Sequence, residues 1–249
     1  MINENDFIFT QEDYEVFKLE NRFKETTDIG NKRRNIQKKL LEINKQLSPE
    51  LGKLGFELST HYSSRNTTSL PYINATTPKL EGINWLGLRY GITTAKAKEL
   101  GFPITGGRNK ISSFLEHQCF QVNVVEWGVE IGLFHSNKTG TYDNAYITKQ
   151  LENNNEDVIN DIVQVIKSLK YVPVKFYFGD KVFDPTIDKA EDFIQFYLNN
   201  NELGTYKTCV AQFSRLDPCL LKDNFVNTCK YYINALYDLY NALSYRKEK

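Results

Sequence analysis

Histidine is scarce in this sequence, three residues in 249, and only one methionine and two tryptophans accompany it. Imidazole is the side chain suited to proton transfer near neutral pH, so acid–base chemistry has only His61, His117 and His135 to draw on. The four cysteines, Cys119, Cys209, Cys219 and Cys229, form no CxxC pair and have no histidine at ligand spacing, which argues against a structural zinc site. The last three recur every ten residues, but that interval crosses an expected strand, loop and helix. Buried free thiols in a reducing compartment are therefore expected. No apolar run approaches the roughly 18 to 20 residues that span a bilayer. Residues 1–10 carry acids instead of a basic stretch followed by an apolar one, so no export signal is read there and a cytoplasmic location is expected. Phosphate-cradling, dinucleotide, HExxH, GxSxG and EF-hand patterns are all missing, and neither a cofactor nor a metal is expected.

What is present is an ordinary globular composition, 41% hydrophobic and 25% charged, with no boundary that forces a split. One domain over residues 1–249 is the reading. Net charge is zero, yet residues 31–118 hold 14 Lys/Arg against 6 Asp/Glu, a balance of +8 that the remainder cancels. Such a block makes either a positive face for an anionic partner or solvated helix surface paired with nearby acids.

Periodicity supplies the elements. A Thr10-x-x-Asp13 cap starts a short helix over 11–17. Ile36, Leu40, Ile43, Leu47, Leu51 and Leu54 mark a longer one over 32–53, with a kink or break expected near Ser48 because Pro49 follows. Residues 56–62 read as a strand, 63–81 as a long loop, 83–90 as a strand, 93–100 as a short helix, 102–109 as a turn and 111–116 as an amphipathic piece. Two alternating runs, Phe120-Val122-Val124 and Val129-Ile131-Leu133, flank Glu126-Trp127-Gly128 as a hairpin. Helices follow over 157–169, 189–198 and 224–243, with a second hairpin over 174–183 and a strand over 208–213. Hairpins with interspersed helices and no βαβ rhythm predict an α+β fold, an antiparallel sheet packed against several helices.

The candidate site is the basic block's mixture of arginine, aromatic and histidine side chains: His61, Arg65, Trp85, Arg89, Arg108 and His117. Guanidinium forks beside aromatic faces suit a carboxylate, a phosphate or a nucleobase. The stretch Gly106-Gly107-Arg108-Asn109-Lys110 could offer backbone N–H groups to a phosphate, without the spacing of a phosphate-binding loop. This pattern points to a binding module for an anionic ligand, either nucleic acid or a phosphate-bearing small molecule. The alternative is a hydrolase or nuclease with His61 or His117 as general base and Arg65 or Arg89 stabilising negative charge. A metal-dependent nuclease finds little support, because Glu126 and Glu130 have no carboxylate partner at suitable spacing. A protein-interaction or inhibitor role is a third reading, drawing on the acidic segments and the many tyrosines.

Several segments together resemble the uncharacterised bacterial DUF1054 (YktB-like) family. They are Phe9-Thr10-Gln11-Glu12-Asp13-Tyr14-Glu15-Val16-Phe17, His61 and Arg65 before the strand bearing Trp85, His117 to Gln121 leading into the hairpin, and Val210-Ala211-Gln212-Phe213-Ser214-Arg215-Leu216-Asp217-Pro218 before the last helix. Residues 93–110 and 137–155 are extra by comparison. The resemblance implies an α+β fold with an antiparallel sheet and carries no activity with it.

Overall fold

A computed structural model describes residues 3–24, 26–60, 82–102, 116–136, 140–202 and 204–246. In chain order the elements are α1 (Gln11–Glu15), α2 (Leu19–Arg22), α3 (Thr27–Lys53), β1 (Leu58–Thr60), β2 (Trp85–Ile92), α4 (Thr94–Glu99), β3 (Cys119–Val125), β4 (Gly128–Ser136), α5 (Tyr142–Glu152), α6 (Glu156–Ser168), β5 (Lys175–Phe178), β6 (Lys181–Phe183), α7 (Phe193–Asn199), β7 (Lys207–Ser214), α8 (Lys222–Ala235) and α9 (Tyr237–Ala242). The strands form one antiparallel sheet in the order β1-β2-β3-β4-β7-β5-β6, so the fold is α+β as the hairpin pattern predicts.

The β3–β4 hairpin lies at the middle of this sheet, joined by a two-residue turn at Glu126-Trp127. Its alternation is legible in the burial: Phe120, Val122, Val124, Val129, Ile131 and Leu133 all face one hydrophobic core. The helices cover that face. Along α3 the buried positions Ile29, Arg33, Ile36, Leu40, Ile43, Leu47 and Leu51 repeat at three- and four-residue steps, the stripe a helix needs to lie on a sheet. Asn44, on the same stripe, clamps helix to sheet, for its Oδ1 accepts from Tyr90 Oη at 3.0 Å and from Thr60 Oγ1 at 3.1 Å.

Three helical expectations are corrected. α3 starts at Thr27, because Thr26 caps the Ile29 N–H, and it runs through Pro49 without a break. The proline is exposed and only four residues from the end, so the buried stripe holds the helix across the single lost hydrogen bond. Leu54 falls beyond the helix and is exposed. The C-terminal helix is two helices separated at Leu236, whose φ of −99° and ψ of 3° leave the helical region. That break lets Tyr237 and Tyr240 stack on Phe120 while Phe225, Cys229 and Ile233 stay in the core. Helix α5 has no counterpart in the hydrophobic pattern and is declared instead by its cap, where Thr141 accepts from Asn144 N–H. The expected loop over 63–81, most of the turn over 102–109 and residues 111–115 lie outside the described residues.

All four cysteines are free, and three are buried. Among the described residues, no helix is long and apolar enough to cross a membrane. Because Ile131 is fully buried on the central strand, Ile131→Ala should cost about 2 to 5 kcal/mol by removing buried methyl and methylene groups and leaving a cavity. Chemical denaturation would measure it, and a loss below about 1 kcal/mol would mean that the strand's inward face is tolerant of a void.

Candidate functional site

Alternation along β2 sends consecutive side chains to opposite faces of the sheet. Leu86, Leu88 and Tyr90 enter the helix-covered core, whereas Trp85, Gly87, Arg89 and Gly91 take the other face. Register then decides the neighbours of Arg89. Gln121 on β3 stands opposite it, followed across the sheet by Gly132 on β4 and Val210 on β7. A Cβ at Gly132 would run into the carbonyl oxygen of Cys209, so that position requires glycine, and no side chain rises there beside Gln121.

Arg89 is 2% exposed, and its guanidinium carbon lies 4.4 Å from the Trp85 ring centroid in a cation–π stack. Burial pushes its pKa down to about 10, while Cys119 and Tyr206 act in the opposite direction. It remains a cation at neutral pH. Polar side chains line β3 on the same face: Asn123 Nδ2 donates to Gln121 Oε1 at 2.8 Å, and Gln121 Nε2 lies 3.6 Å from Cys119 Sγ. A Cβ at Gly87 would collide with Asn123 Oδ1, so glycine on β2 makes room for that amide. The Cys119 thiol is raised by burial and lowered in part by Arg89, which keeps it protonated and inert. Farther across, Tyr177 Oη donates to Gln212 Oε1 at 3.0 Å, and Gln212 Nε2 donates to Glu130 Oε1 at 3.1 Å.

The structure thus brings Trp85 and Arg89 together and adds Gln121 and Asn123, the polar partners of the hairpin's apolar alternation. Their signal was present: on β3 polar and apolar residues alternate from Cys119 to Val124, and the polar set marks a second face in use. His61, Arg65 and Arg108 lie outside the described residues, as does the glycine-rich stretch 106–110.

His117 occupies a different setting. It is buried against Phe102, at 4.3 Å between ring centroids, and Tyr142, at 5.3 Å. Its Nδ1 is 3.8 Å from Asp143 Oδ2, beyond hydrogen-bond length, and neither ring nitrogen has a hydrogen-bond partner among the described residues. Asp143 is held by others, accepting from the Gln118 N–H at 2.9 Å and the Tyr245 N–H at 2.7 Å.

The basic block does not form one described face. Seven of its cations stand on α3, on the far side of the sheet from Arg89. Most are answered nearby: Arg33 donates to the carbonyls of Asn21, Arg22 and Lys24, and Lys32, Lys39, Lys45 and Lys53 pair with Asp28, Asp13, Glu42 and Glu50. On the described residues, local pairing accounts for most of the +8 balance. No group of three or more His, Cys, Asp or Glu side chains is placed to hold a metal ion among the described residues.

No family model matches the chain, and no curated protein matches it.

The remaining histidine is a core residue. His135 Nδ1 is 3.1 Å from Gln118 Oε1, and its Nε2 is 2.7 Å from Tyr197 Oη. Gln118 uses its amide nitrogen on Tyr240 O and Ser244 Oγ, so its oxygen faces the ring and Nδ1 carries the proton. Burial pushes the His135 pKa down to about 4, with Asp143 raising it and Lys207 lowering it further. The unfolded chain, with an ordinary pKa near 6.5, therefore binds the proton first. Stability from this group is fully present above about pH 6.5 and is lost as pH falls towards 4, at about 1.4 kcal/mol per pH unit. His135→Gln should flatten that slope, as read from denaturation midpoints between pH 4 and 7. An unchanged slope would place the acid sensitivity elsewhere.

Proposed function

We propose that this protein is a binding module for a small phosphate- or carboxylate-bearing ligand, held by Arg89 on the face of the sheet turned away from α3. The observation that carries the reading is the Trp85–Arg89 stack at 4.4 Å: a buried, permanently charged planar fork braced by an aromatic ring and bordered by the Gln121 and Asn123 amides. A guanidinium offers paired donors to an oxyanion, the amides can read neighbouring polar edges, and the indole supplies a surface for a planar group. Compared with nucleic acid, a small ligand is favoured because a polynucleotide needs a continuous track of cations. Here the α3 cations lie behind the sheet and are largely paired. Four free thiols suit a cytoplasmic setting for this activity.

Hydrolysis is the second reading, with His117 as general base and Asp143 as its orienting acid. Their 3.8 Å separation favours it, since a modest rotation of the ring would close the contact.

Adenosine monophosphate, inorganic phosphate and a single-stranded oligonucleotide are suitable probes, titrated calorimetrically and by Trp85 fluorescence in a Trp127→Phe background. The mononucleotide should bind more tightly than the oligonucleotide does per phosphate, Arg89→Ala should abolish binding while the protein still unfolds cooperatively, and Arg89→Lys should restore it in part because the charge returns without the fork. An Arg89→Ala protein that loses stability but binds normally would make the stack purely structural. Turnover of a phosphate ester that disappears in His117→Gln would favour the hydrolase.

A further inference from the structure

The helix-covered face of the sheet holds a second buried cation. Lys207 opens β7 and shares its face with Cys209, Ala211 and Phe213, so its side chain runs into the core and is 2% exposed. Its register partners are Phe178 on β5 and, past an irregularity in β4, Ser136. Nζ lies 5.7 Å from the Phe178 ring centroid. Among the described residues no carboxylate pairs with this ammonium. The nearest charged influence runs the other way, for Lys207 helps to keep His135 neutral. Asp143, which raises His135, accepts from the Gln118 and Tyr245 N–H groups and forms no described pair with Lys207.

A largely desolvated ammonium without a counter-charge is costly, and proteins that keep one either pair it, neutralise it or use it. Lys207 lies over the Phe178 ring, on which Tyr197 also packs at 5.3 Å, and Tyr197 is joined by a 2.7 Å hydrogen bond to the neutral His135. None of these can supply negative charge, since burial holds the Tyr197 phenol far above its ordinary pKa. We propose that Lys207 anchors a site for a small oxyanion, a carboxylate or inorganic phosphate, between β7, β5 and the His135–Tyr197 pair. The site is separate from Arg89, which points to the opposite face. The anion would supply the missing charge and take the three N–H donors of the ammonium. Burial of Lys207 restricts the ligand to small species, and the desolvated surroundings make the charge pairing stronger than it would be in water.

The ammonium itself is depressed by burial alone, to about 8, so an arriving anion has to raise it. Two measurements test the site. In an Arg89→Ala background, which removes the site on the opposite face, sodium formate and sodium phosphate should each raise the thermal midpoint above that in sodium chloride of equal ionic strength. The rise should grow with the logarithm of anion concentration, reaching roughly 5 to 10 °C at a hundredfold excess over Kd. Adding Lys207→Met, close in length and uncharged, to that background should abolish the difference between salts. In the second measurement, lysine labelled at ¹³Cε should give a Lys207 resonance that titrates below the other lysines in chloride and moves upward in pH with formate. This reads wild-type protein and stands even if the variant fails to fold. Equal responses to formate, phosphate and chloride, an anion effect that survives in Lys207→Met, or a Lys207 resonance indifferent to formate would each overturn the proposal.

Discussion

One row of side chains crosses the whole sheet on its covered face, and the remaining structure depends on it. Thr60, Tyr90, Phe120, Leu133, Cys209, Phe176 and Phe183 are register partners from β1 to β6. Five of them are aromatic or aliphatic, so the row presents a continuous apolar floor on which helices can exclude water. Asn44 of α3 takes the hydroxyls at one end of it, Tyr237 and Tyr240 stack on Phe120 in the middle, and Phe193 packs on Phe176 and Phe183 at the other end. Slipping any strand by one residue would turn that floor over and bury the polar set instead.

The same constraint generates the second face. Every residue beside a member of the floor points away from the helices, which is why Arg89 follows from Tyr90, and Gln121 from Phe120. Glycine at positions 87 and 132 then keeps this side shallow where the Asn123 amide and the Cys209 carbonyl come close. Arg89 keeps its charge despite burial because guanidinium is too basic to be neutralised, and the Trp85 ring offsets part of the lost hydration. Lysine differs in kind. Lys207 sits near neutrality, so its charge state depends on what lies beside it, and the two buried cations have different chemistry on opposite faces.

The α3 charges show how a count misleads. A helix displays residues three and four apart on one side, so Lys32 meets Asp28, Lys45 meets Glu42 and Lys53 meets Glu50. An excess of fixed sign along the sequence becomes a surface patch only where such partners are missing. Arg33 is used inside, binding the carbonyls that end α2 and fixing the chain where it enters α3.

By itself, the sequence determined the antiparallel α+β class, the β3–β4 and β5–β6 hairpins, the α3 stripe and the pairing of Trp85 with Arg89 on one strand. Those follow from period-two and period-3.6 spacing, which are local properties that neighbouring residues carry wherever the chain lies. Helix α5 escaped because the Thr141 cap, rather than an apolar stripe, announces it. The break at Leu236 escaped because the pattern on both sides of it is helical and only the docking of Tyr240 against Phe120 separates them. Which side of the sheet the helices cover, that Gln121 stands across from Arg89, and that Lys207 meets Phe178 were decided by tertiary structure alone. Each of these depends on strands brought together from distant parts of the chain, and register between distant strands is set by the packing of the whole face, which no local spacing records.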